Sequence, residues 1–137
     1  GLGVEIIDGD EYRTGLCSDL GFSKEDRNTN VRRLGFVGRV LARNGVVAIM
    51  SAINPYQEVR EEIGGELVYV DCSLECVIDR DVKGLYAKAL RGEIPNFTGV
   101  SDPFEDPVNP ALTLDTENSD LVTCVRELEK FVLQRVA

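Results

Sequence analysis

The stretch from Val46 to Ser51 constrains the fold more than any other part of the chain. It is almost entirely apolar, which is typical of a strand buried on both faces of a parallel sheet. Three further short strands are predicted at Val4–Ile7, Leu67–Asp71 and Leu112–Asp115. Amphipathic helical patterns separate these strands. Strands that alternate with helices predict an α/β fold with a parallel sheet flanked by helices.

Two long helices are predicted from the spacing of apolar residues. Ser23 caps the first, with Asp26 three residues later as a capping-box variant, and Ser119 starts the second. Residues at helical spacing mark the core face of each helix. In the first helix these are Val31, Leu34, Val37, Val40 and Leu41, and in the second they are Leu121, Val125, Leu128 and Val132.

Two short helices are also predicted. Asn54 as N-cap, with Pro55 at the first helical position, favours a helix over Tyr56–Ile63. Ser73 as N-cap favours another from Leu74 to about Asp79. The long polar stretch from Gly92 to Pro110 is predicted to be a loop, and loops of that length are usually functional.

Polar residues follow each predicted strand. They are Asp8 and Asp10, Ser51 to Asn54, Asp71 to Ser73, and Asp115 with Thr116. Because ligands of parallel sheets bind outside the carboxyl ends of the strands, a site is expected at this edge. Two aspartates around Gly9 suit binding of Mg²⁺ or removal of a proton from a hydroxyl, although an ordinary Asp-Gly turn is the commoner meaning of this pattern.

Charge and composition exclude several classes of function. The 137 residues carry 24 acidic and 15 basic side chains, for a net charge of −9, which disfavours DNA, RNA and anionic membranes as partners. There is no histidine, so histidine-based catalysis and metal binding are excluded. Four scattered cysteines favour a reducing cytoplasm. The Cys72-x-x-x-Cys76 spacing is not typical of a redox or zinc motif.

Two groups of basic and polar residues could bind an anion. Arg80, Lys83, Lys88 and Arg91 lie close together in this acidic chain and could hold one small anion, or they could be the solvated face of a helix. Arg27 and Asn30 share one helix face and could grip a ligand together, or they could be ordinary helix surface.

Six short motifs follow one another along the chain. They are Asp8-Gly9-Asp10 with Arg13; Leu20-Gly21-Phe22-Ser23; Asp26-Arg27 with Asn30 and Arg32-Arg33; Ser51-Ala52-Ile53; Arg80 to Tyr86; and Glu93-Ile94 with Phe97-Thr98-Gly99 and Asp102-Pro103. Through these motifs, in this order and spacing, the chain resembles adenylylsulfate kinase (APS kinase) over almost its whole length.

The resemblance implies the three-layer α/β/α fold of P-loop kinases, in a single domain over residues 1–137. It also implies transfer of the γ-phosphoryl group of ATP to the 3′-hydroxyl of adenylyl sulfate (APS), giving 3′-phosphoadenylyl sulfate (PAPS) in sulfate assimilation. ATP and Mg²⁺ are the implied cofactors. A homodimer is the implied assembly, and ATP sulfurylase is an implied fusion partner or associate.

The resemblance further implies a role for particular residues. Asp8 would lie nearest the accepting hydroxyl as base or Mg²⁺ ligand, with Asp10 beside it. Arg80 would pack near a nucleotide base. The residues implied to bind APS are Arg13, Phe22, Arg27, Asn30, Ile53, Lys83, Asn96 and Phe97, of which Lys83, Asn96 and Phe97 would belong to a lid. Such a lid excludes water from the transferred phosphate.

The chain departs from the family pattern in several places. It contains no Gly-x-x-x-x-Gly-Lys-Ser/Thr loop, so we expect the natural protein to carry that loop upstream of Gly1. Asn54 replaces a family serine that has been associated with a phosphoenzyme, so direct transfer is expected. Asn96 replaces the usual glycine, and the helix over Tyr56–Ile63 is shorter than in the family.

Two other functions remain open from the sequence. The chain could be a non-catalytic module, derived from the kinase, that binds a nucleotide or a partner without turnover. The missing loop favours this alternative, whereas the retained Asp8, Asp10, Arg27, Asn30 and Lys83 disfavour it. The chain could also be a kinase of another small molecule on the same scaffold.

Overall fold

Two compact units make up the chain in the computed structural model, which describes residues 1–136. The first spans Gly1–Gly64 and the second begins at Gly65. Each unit contains one two-stranded parallel sheet together with helices. The predicted α/β class with parallel strands flanked by helices is therefore confirmed, while the prediction of a single domain stays a prediction. Within the described residues, no helix has the length and apolar character needed to cross a membrane.

The first unit contains two strands and three helices. They are β1 (Gly3–Asp8), α1 (Gly9–Tyr12), α2 (Lys24–Ala42), β2 (Val46–Ser51) and α3 (Gln57–Ile63). The strands β1 and β2 are parallel and in register from Gly3 opposite Val46 to Asp8 opposite Ser51. The polar residues that end both strands therefore lie side by side, as expected from the sequence.

The core of the first unit forms where α2 packs on this sheet. Ile7, Cys17 and Leu34 are fully buried there, and Val31 is almost fully buried. On α2 the predicted core face is confirmed at Val31 and Leu34, whereas Val37, Val40 and Leu41 are half-buried. The β2 strand was expected to be buried on both faces, but its apolar residues are only half-buried.

Helix starts in the first unit follow the sequence at α2 but not at α3. Ser23 Oγ accepts the backbone N–H of Asp26 at 3.1 Å, so the predicted cap is confirmed. Asn54 does not cap α3, since its φ of 47° is left-handed and a capping residue needs an extended backbone. Tyr56 occupies the cap position without a side-chain hydrogen bond, and α3 begins at Gln57.

The second unit contains two strands and three helices. They are β3 (Val68–Asp71), α4 (Leu74–Arg80), α5 (Leu85–Leu90), β4 (Leu112–Asp115) and α6 (Leu121–Val136). The strands pair in parallel from Val68 opposite Leu112 to Asp71 opposite Asp115. Ser73 Oγ accepts the N–H of Cys76 at 3.2 Å, which confirms the predicted cap of α4. Residues 92–110 contain neither helix nor strand, as predicted for the loop.

The last helix differs from its prediction in its start and its buried face. It begins at Leu121 rather than Ser119, because Asp120 accepts the N–H of Thr123 at 2.8 Å and so acts as the cap. Cys124 and Phe131 are its buried residues, and Leu128 and Val132 are half-buried. The core positions predicted at Leu121 and Val125 are wrong, since these side chains are 78% and 53% exposed.

Candidate functional site

Asp8 is the last residue of β1 and lies opposite Ser51, the last residue of β2. Asp8 is the N-cap of α1, and its Oδ1 accepts the N–H of Asp10 at 3.2 Å. A Cβ on Gly9 would lie 3.2 Å from the carbonyl oxygen of Ser51, so a side chain after Asp8 would require a small shift of that backbone. Asp8 is half-buried and Asp10 is exposed. Asp8 therefore caps a short helix instead of lying in the Asp-Gly turn expected as the commoner alternative, and this cap orients its carboxylate.

Arg13 ends α1 and is held by main-chain carbonyl groups. Its Nη1 donates to the carbonyl oxygens of Leu20 at 3.2 Å and Gly21 at 2.9 Å. Its guanidinium carbon lies 4.3 Å from the centre of the Phe22 ring. Both hydrogen bonds orient the planar cation, so Arg13 can present it to a ligand at little further cost in side-chain entropy.

Phe22 contacts a second arginine as well. The guanidinium carbon of Arg27 lies 5.4 Å from the ring centre, and Arg27 Nε donates to the Phe22 carbonyl oxygen at 3.1 Å. Arg27 is only 8% exposed, whereas the Phe22 side chain is 52% exposed. The alternative that Arg27 is ordinary solvated surface is therefore wrong. The structure instead presents an exposed aromatic ring with two hydrogen-bonded cations within 5.4 Å of its centre.

Asn30 lies one helical turn beyond Arg27 on α2. It is 6% exposed, and its side-chain oxygen Oδ1 is buried without a hydrogen-bond partner among the described residues. Most buried polar atoms are paired, and leaving one unpaired typically costs about 1–3 kcal/mol. Such an acceptor is expected where a ligand supplies the missing N–H or O–H donor.

Ile53 follows the end of β2 by two residues and is 58% exposed. An exposed apolar side chain beside polar strand ends is available to contact a ligand. Asn54, the next residue, has a buried side-chain oxygen without a partner among the described residues, and its main-chain carbonyl accepts Arg60 Nε at 2.8 Å. Sequence reasoning missed this buried oxygen because the Asn54-Pro55 pair is typical of a helix start.

Two arginines of the basic segment in the second unit have separate partners. Arg80 Nη2 donates to the carbonyl oxygen of Thr116 at 2.8 Å, and its Nη1 contacts Cys72 Sγ at 3.7 Å. Arg91 instead pairs with Glu93, with 3.2 Å between Nη2 and Oε2. Lys83 is exposed. These two arginines are already engaged with different partners, which argues against a shared small anion.

The loop after α5 places Phe97 in a compact turn. Its carbonyl oxygen accepts the N–H groups of Val100, Ser101 and Asp102 at 3.0–3.1 Å. Its ring meets Tyr86 edge to face, with 4.9 Å between ring centres. Burial raises the pKa of Tyr86, with a smaller contribution from the charge of Asp81. The expected functional loop is therefore an ordered segment in which the Phe97 ring has a defined position.

Asn96 adopts a left-handed backbone conformation with φ of 53°. Glycine adopts this conformation without a steric penalty, and asparagine is among the few other residues that tolerate it. This backbone explains how asparagine can replace the glycine that is usual at this position in the family that the chain resembles.

Comparison with known proteins gives one consistent answer. The family model for adenylylsulphate kinase matches residues 1–115. The chain is 50% identical to an adenylyl-sulfate kinase from Chloroflexus aurantiacus, over 93% of this chain and 72% of that protein. It is 52% identical to another from Deinococcus deserti, over 91% of this chain and 72% of that protein.

A solved structure agrees with the sequence matches. It is the Mycobacterium tuberculosis APS kinase CysC in complex with AMPPNP and APS, which has a TM-score of 0.83 and 38% identity. The similarity covers 94% of this chain and 80% of that one. The chain therefore belongs to the adenylylsulfate kinase family, the phosphotransferases that use ATP to convert adenylyl sulfate into 3′-phosphoadenylyl sulfate.

Proposed function

We propose that residues of the first unit bind APS and that Asp8 accepts the proton of its 3′-hydroxyl during phosphoryl transfer. The observation that carries this proposal is the exposed Phe22 ring with Arg13 and Arg27 within 5.4 Å of its centre, together with the buried Oδ1 of Asn30, which has no partner among the described residues. Each of these features corresponds to a chemical group of APS, which has a flat base, an anionic phosphosulfate and several hydrogen-bond donors.

The aromatic and cationic groups suit both ends of this ligand. A purine base stacks on aromatic rings and on guanidinium planes. Sulfate and phosphate oxygens accept two parallel hydrogen bonds from a guanidinium group. Arg27 is almost completely buried, so its charge is less screened by water and interacts more strongly with an anion than an exposed arginine would. Ile53 would add an apolar contact, and Asn30 would accept a donor of the ligand.

The position of Asp8 suits a general base. Its Oδ1 is used to cap α1, which leaves Oδ2 for the substrate hydroxyl. In the proposed step, the 3′ oxygen of APS forms a bond to the γ-phosphorus of ATP, its proton passes to Asp8, and the bond between that phosphorus and the leaving ADP oxygen breaks. Asp10 stands beside Asp8 and adds negative charge to this end of the sheet.

Mg²⁺ is part of the proposal, with Asp8 as the ligand from this chain. The described residues contain no group of three or more histidine, cysteine or acidic side chains that could hold a metal ion by themselves. Mg²⁺ is usually bound in proteins through one or two carboxylates together with phosphate oxygens and water. When bound, Mg²⁺ neutralises charge on the phosphates of ATP.

For the second unit, the assignments come from the resemblance, and local geometry supports two of them. Arg80 is oriented by the Thr116 carbonyl, as a residue that packs against a nucleotide base would need to be. Phe97 is oriented by Tyr86. Lys83 and Asn96 keep their proposed role in a lid over APS.

The proposed assembly is a homodimer, and the proposed associate is ATP sulfurylase. A cytoplasmic location is proposed from the four free cysteines, of which Cys17 and Cys124 are buried in the described structure. Sedimentation equilibrium of the natural protein tests the proposed homodimer, because a measured mass equal to one chain at micromolar concentration would contradict it.

The test of the proposed chemistry is Asp8→Asn in the full-length protein. Asparagine is also a good N-cap, so α1 and the melting temperature should be unchanged. Loss of the general base should lower kcat by about 10²–10⁴-fold, with little change in the affinity for APS. Asp19→Asn is the matched control, because Asp19 is an exposed aspartate paired with Arg33.

Two outcomes would contradict the proposal. If Asp8→Asn keeps full turnover, Asp8 is not the base. If the natural protein binds APS tightly but forms no PAPS with ATP and Mg²⁺, the non-catalytic alternative holds, although the family comparisons do not favour it.

A further inference from the structure

Asn54 has a backbone conformation that two steric effects disfavour. Its φ of 47° is left-handed, which residues other than glycine rarely adopt. It also precedes Pro55, and a proline ring favours an extended backbone, with φ of about −120°, at the residue before it. Strained residues persist only where their surroundings hold them, and they cluster at functional sites. The neighbours of Asn54 must therefore hold this conformation.

The side-chain oxygen of Asn54 does not provide that hold. Asparagine tolerates the left-handed region because its short polar side chain can form hydrogen bonds with the nearby backbone. In this chain, however, Oδ1 of Asn54 is buried and has no partner in the described part of the structure. The main-chain carbonyl oxygen of Asn54 instead accepts a hydrogen bond from Arg60 Nε at 2.8 Å.

Arg60 is suited to holding this carbonyl because it is buried and oriented. It is 6% exposed, and it lies one turn after Gln57 on α3. Gln57 Oε1 accepts Arg60 Nη1 at 3.2 Å, which orients the guanidinium group. A hydrogen bond from a charged donor is stronger than one between neutral groups, and a low local dielectric strengthens it further. Arg60 therefore fixes the Asn54 carbonyl from a packed helix.

The residues before and after Asn54 have different surroundings. Pro55 is fully buried and Tyr56 is 3% exposed, so the chain after Asn54 is anchored in the interior of the first unit. Ile53, which precedes Asn54, is 58% exposed. The backbone angles of Asn54 therefore set the direction of Ile53 relative to this anchor.

We propose that Arg60 is a positioning residue for APS binding. By holding Asn54 in its left-handed conformation, Arg60 keeps Ile53 where its side chain contacts APS. This inference rests on the proposed contact between Ile53 and APS. Without the bond from Arg60, Asn54 relaxes towards the extended backbone that proline favours, and Ile53 moves with it. The apparent Kd for APS then rises in inverse proportion to the fraction of molecules that keep Ile53 in place.

The test is a double-mutant cycle of Arg60→Met and Ile53→Ala in the full-length protein, with the Kd for APS measured by calorimetric titration in the presence of ADP. Each single change should raise the Kd by about fivefold, through partial loss of one apolar contact. When residue 53 is already alanine, Arg60→Met should change the Kd by less than about twofold. An equal fold change in both backgrounds would overturn the proposal, because Arg60 would then act independently of Ile53.

A second pair of variants tests the conformation without removing the buried arginine. Asn54→Ala and Asn54→Gly both remove the side-chain amide, but only glycine adopts a left-handed backbone without a steric penalty. Asn54→Ala should raise the Kd for APS by about fivefold, whereas Asn54→Gly should stay within about twofold of the wild-type value. Equal Kd values for these two variants would overturn the proposal, and this result stays decisive if Arg60→Met fails to fold.

Val59→Ala is the control for lost stability, because Val59 is fully buried on the same helix and has no proposed role in binding. It should lower the melting temperature and leave the Kd for APS unchanged. A Kd raised as far as in Arg60→Met would overturn the proposal, since any destabilisation of α3 would then weaken binding. If Ile53→Ala leaves the Kd unchanged, the contact of Ile53 with APS and the role of Arg60 both fail. Absence of APS binding by the wild-type protein would instead contradict the proposed function.

Discussion

Replacing Asn30 with leucine should stabilise the free protein and weaken APS binding by a similar free energy. Asn30 Oδ1 is buried and has no partner among the described residues. The cost of such an atom is about 1–3 kcal/mol in the ligand-free protein, and a bound donor would remove it. Leucine has nearly the same shape and no polar side-chain atom. It therefore removes both the cost of the unpaired oxygen in the free protein and the hydrogen bond gained when APS binds.

The cost of the unpaired Asn30 oxygen sets the size of both effects. Asn30→Leu should raise the free energy of unfolding by about 1–3 kcal/mol. It should raise the Kd for APS by the same amount, which is about 5–150-fold. Urea denaturation measures the first quantity; it should be followed by circular dichroism, because the chain contains no tryptophan. Calorimetric titration with APS in the presence of ADP measures the second.

Asn28→Leu is the matched control on the same helix. Asn28 is 5% exposed, and its Oδ1 is also buried without a partner, but its Nδ2 donates to Glu58 at 2.9 Å. No role in APS binding is proposed for it, so Asn28→Leu should leave the affinity unchanged. The reasoning is refuted if Asn30→Leu leaves the Kd for APS unchanged, or if it destabilises the free protein by more than about 1 kcal/mol.

Three further predictions concern the substrate ring, a helix cap and acid stability. Phe22→Leu should raise the Kd for APS by about 5–30-fold, because it removes an exposed stacking surface, and it should lower the melting temperature slightly, because it removes two cation–π contacts; an unchanged Kd would show that the ring does not contact the ligand. Ser73→Ala should lower the free energy of unfolding of the second unit by about 1 kcal/mol in urea, while Ser73→Asn, which preserves the cap, should not. Interactions with Thr123 lower the pKa of Asp120 below its ordinary value of 3.8, and those with Asn118 do the same for Asp115. The stabilisation that these two carboxylates contribute is therefore complete above pH 3.8 and is lost as the pH falls through the lowered pKa values. The free energy of unfolding, measured between pH 6 and pH 2.5, should show this loss. The loss should be smaller in Asp120→Asn.

The positions of the strands could be predicted because apolar runs of four to six residues have few alternatives in a chain with clear helical patterns around them. The last strand, Leu112–Asp115, was predicted with its observed bounds. Caps at Ser23 and Ser73 could be predicted because the capping hydrogen bond is local and depends on residues within three positions.

Predictions from the sequence failed where residues distant in the sequence determine the backbone conformation or the buried face of a helix. Asn54-Pro55 has the local pattern of a helix start, but Asn54 is left-handed and its carbonyl is bound by Arg60. On α6, Phe131 is buried whereas Leu121 and Val125 are exposed, because an apolar helix with many possible stripes takes its rotation from the strand it packs against.

The candidate site also has features that the sequence predicted and features that only the tertiary structure decided. Local motifs were enough to indicate the reaction, because they carry the resemblance to the family that the comparisons confirm. The residues assigned to that reaction stay predictions. Tertiary structure decided which polar groups are buried. Arg27 and Asn30 could have been solvated helix surface, and only the fold places them at 8% and 6% exposure. Arg27 lies next to Phe22, and the side-chain oxygen of Asn30 has no partner in the part of the chain that the structure describes. The physical reason is that burial is set by what packs around a residue, and sequence spacing alone does not determine that packing.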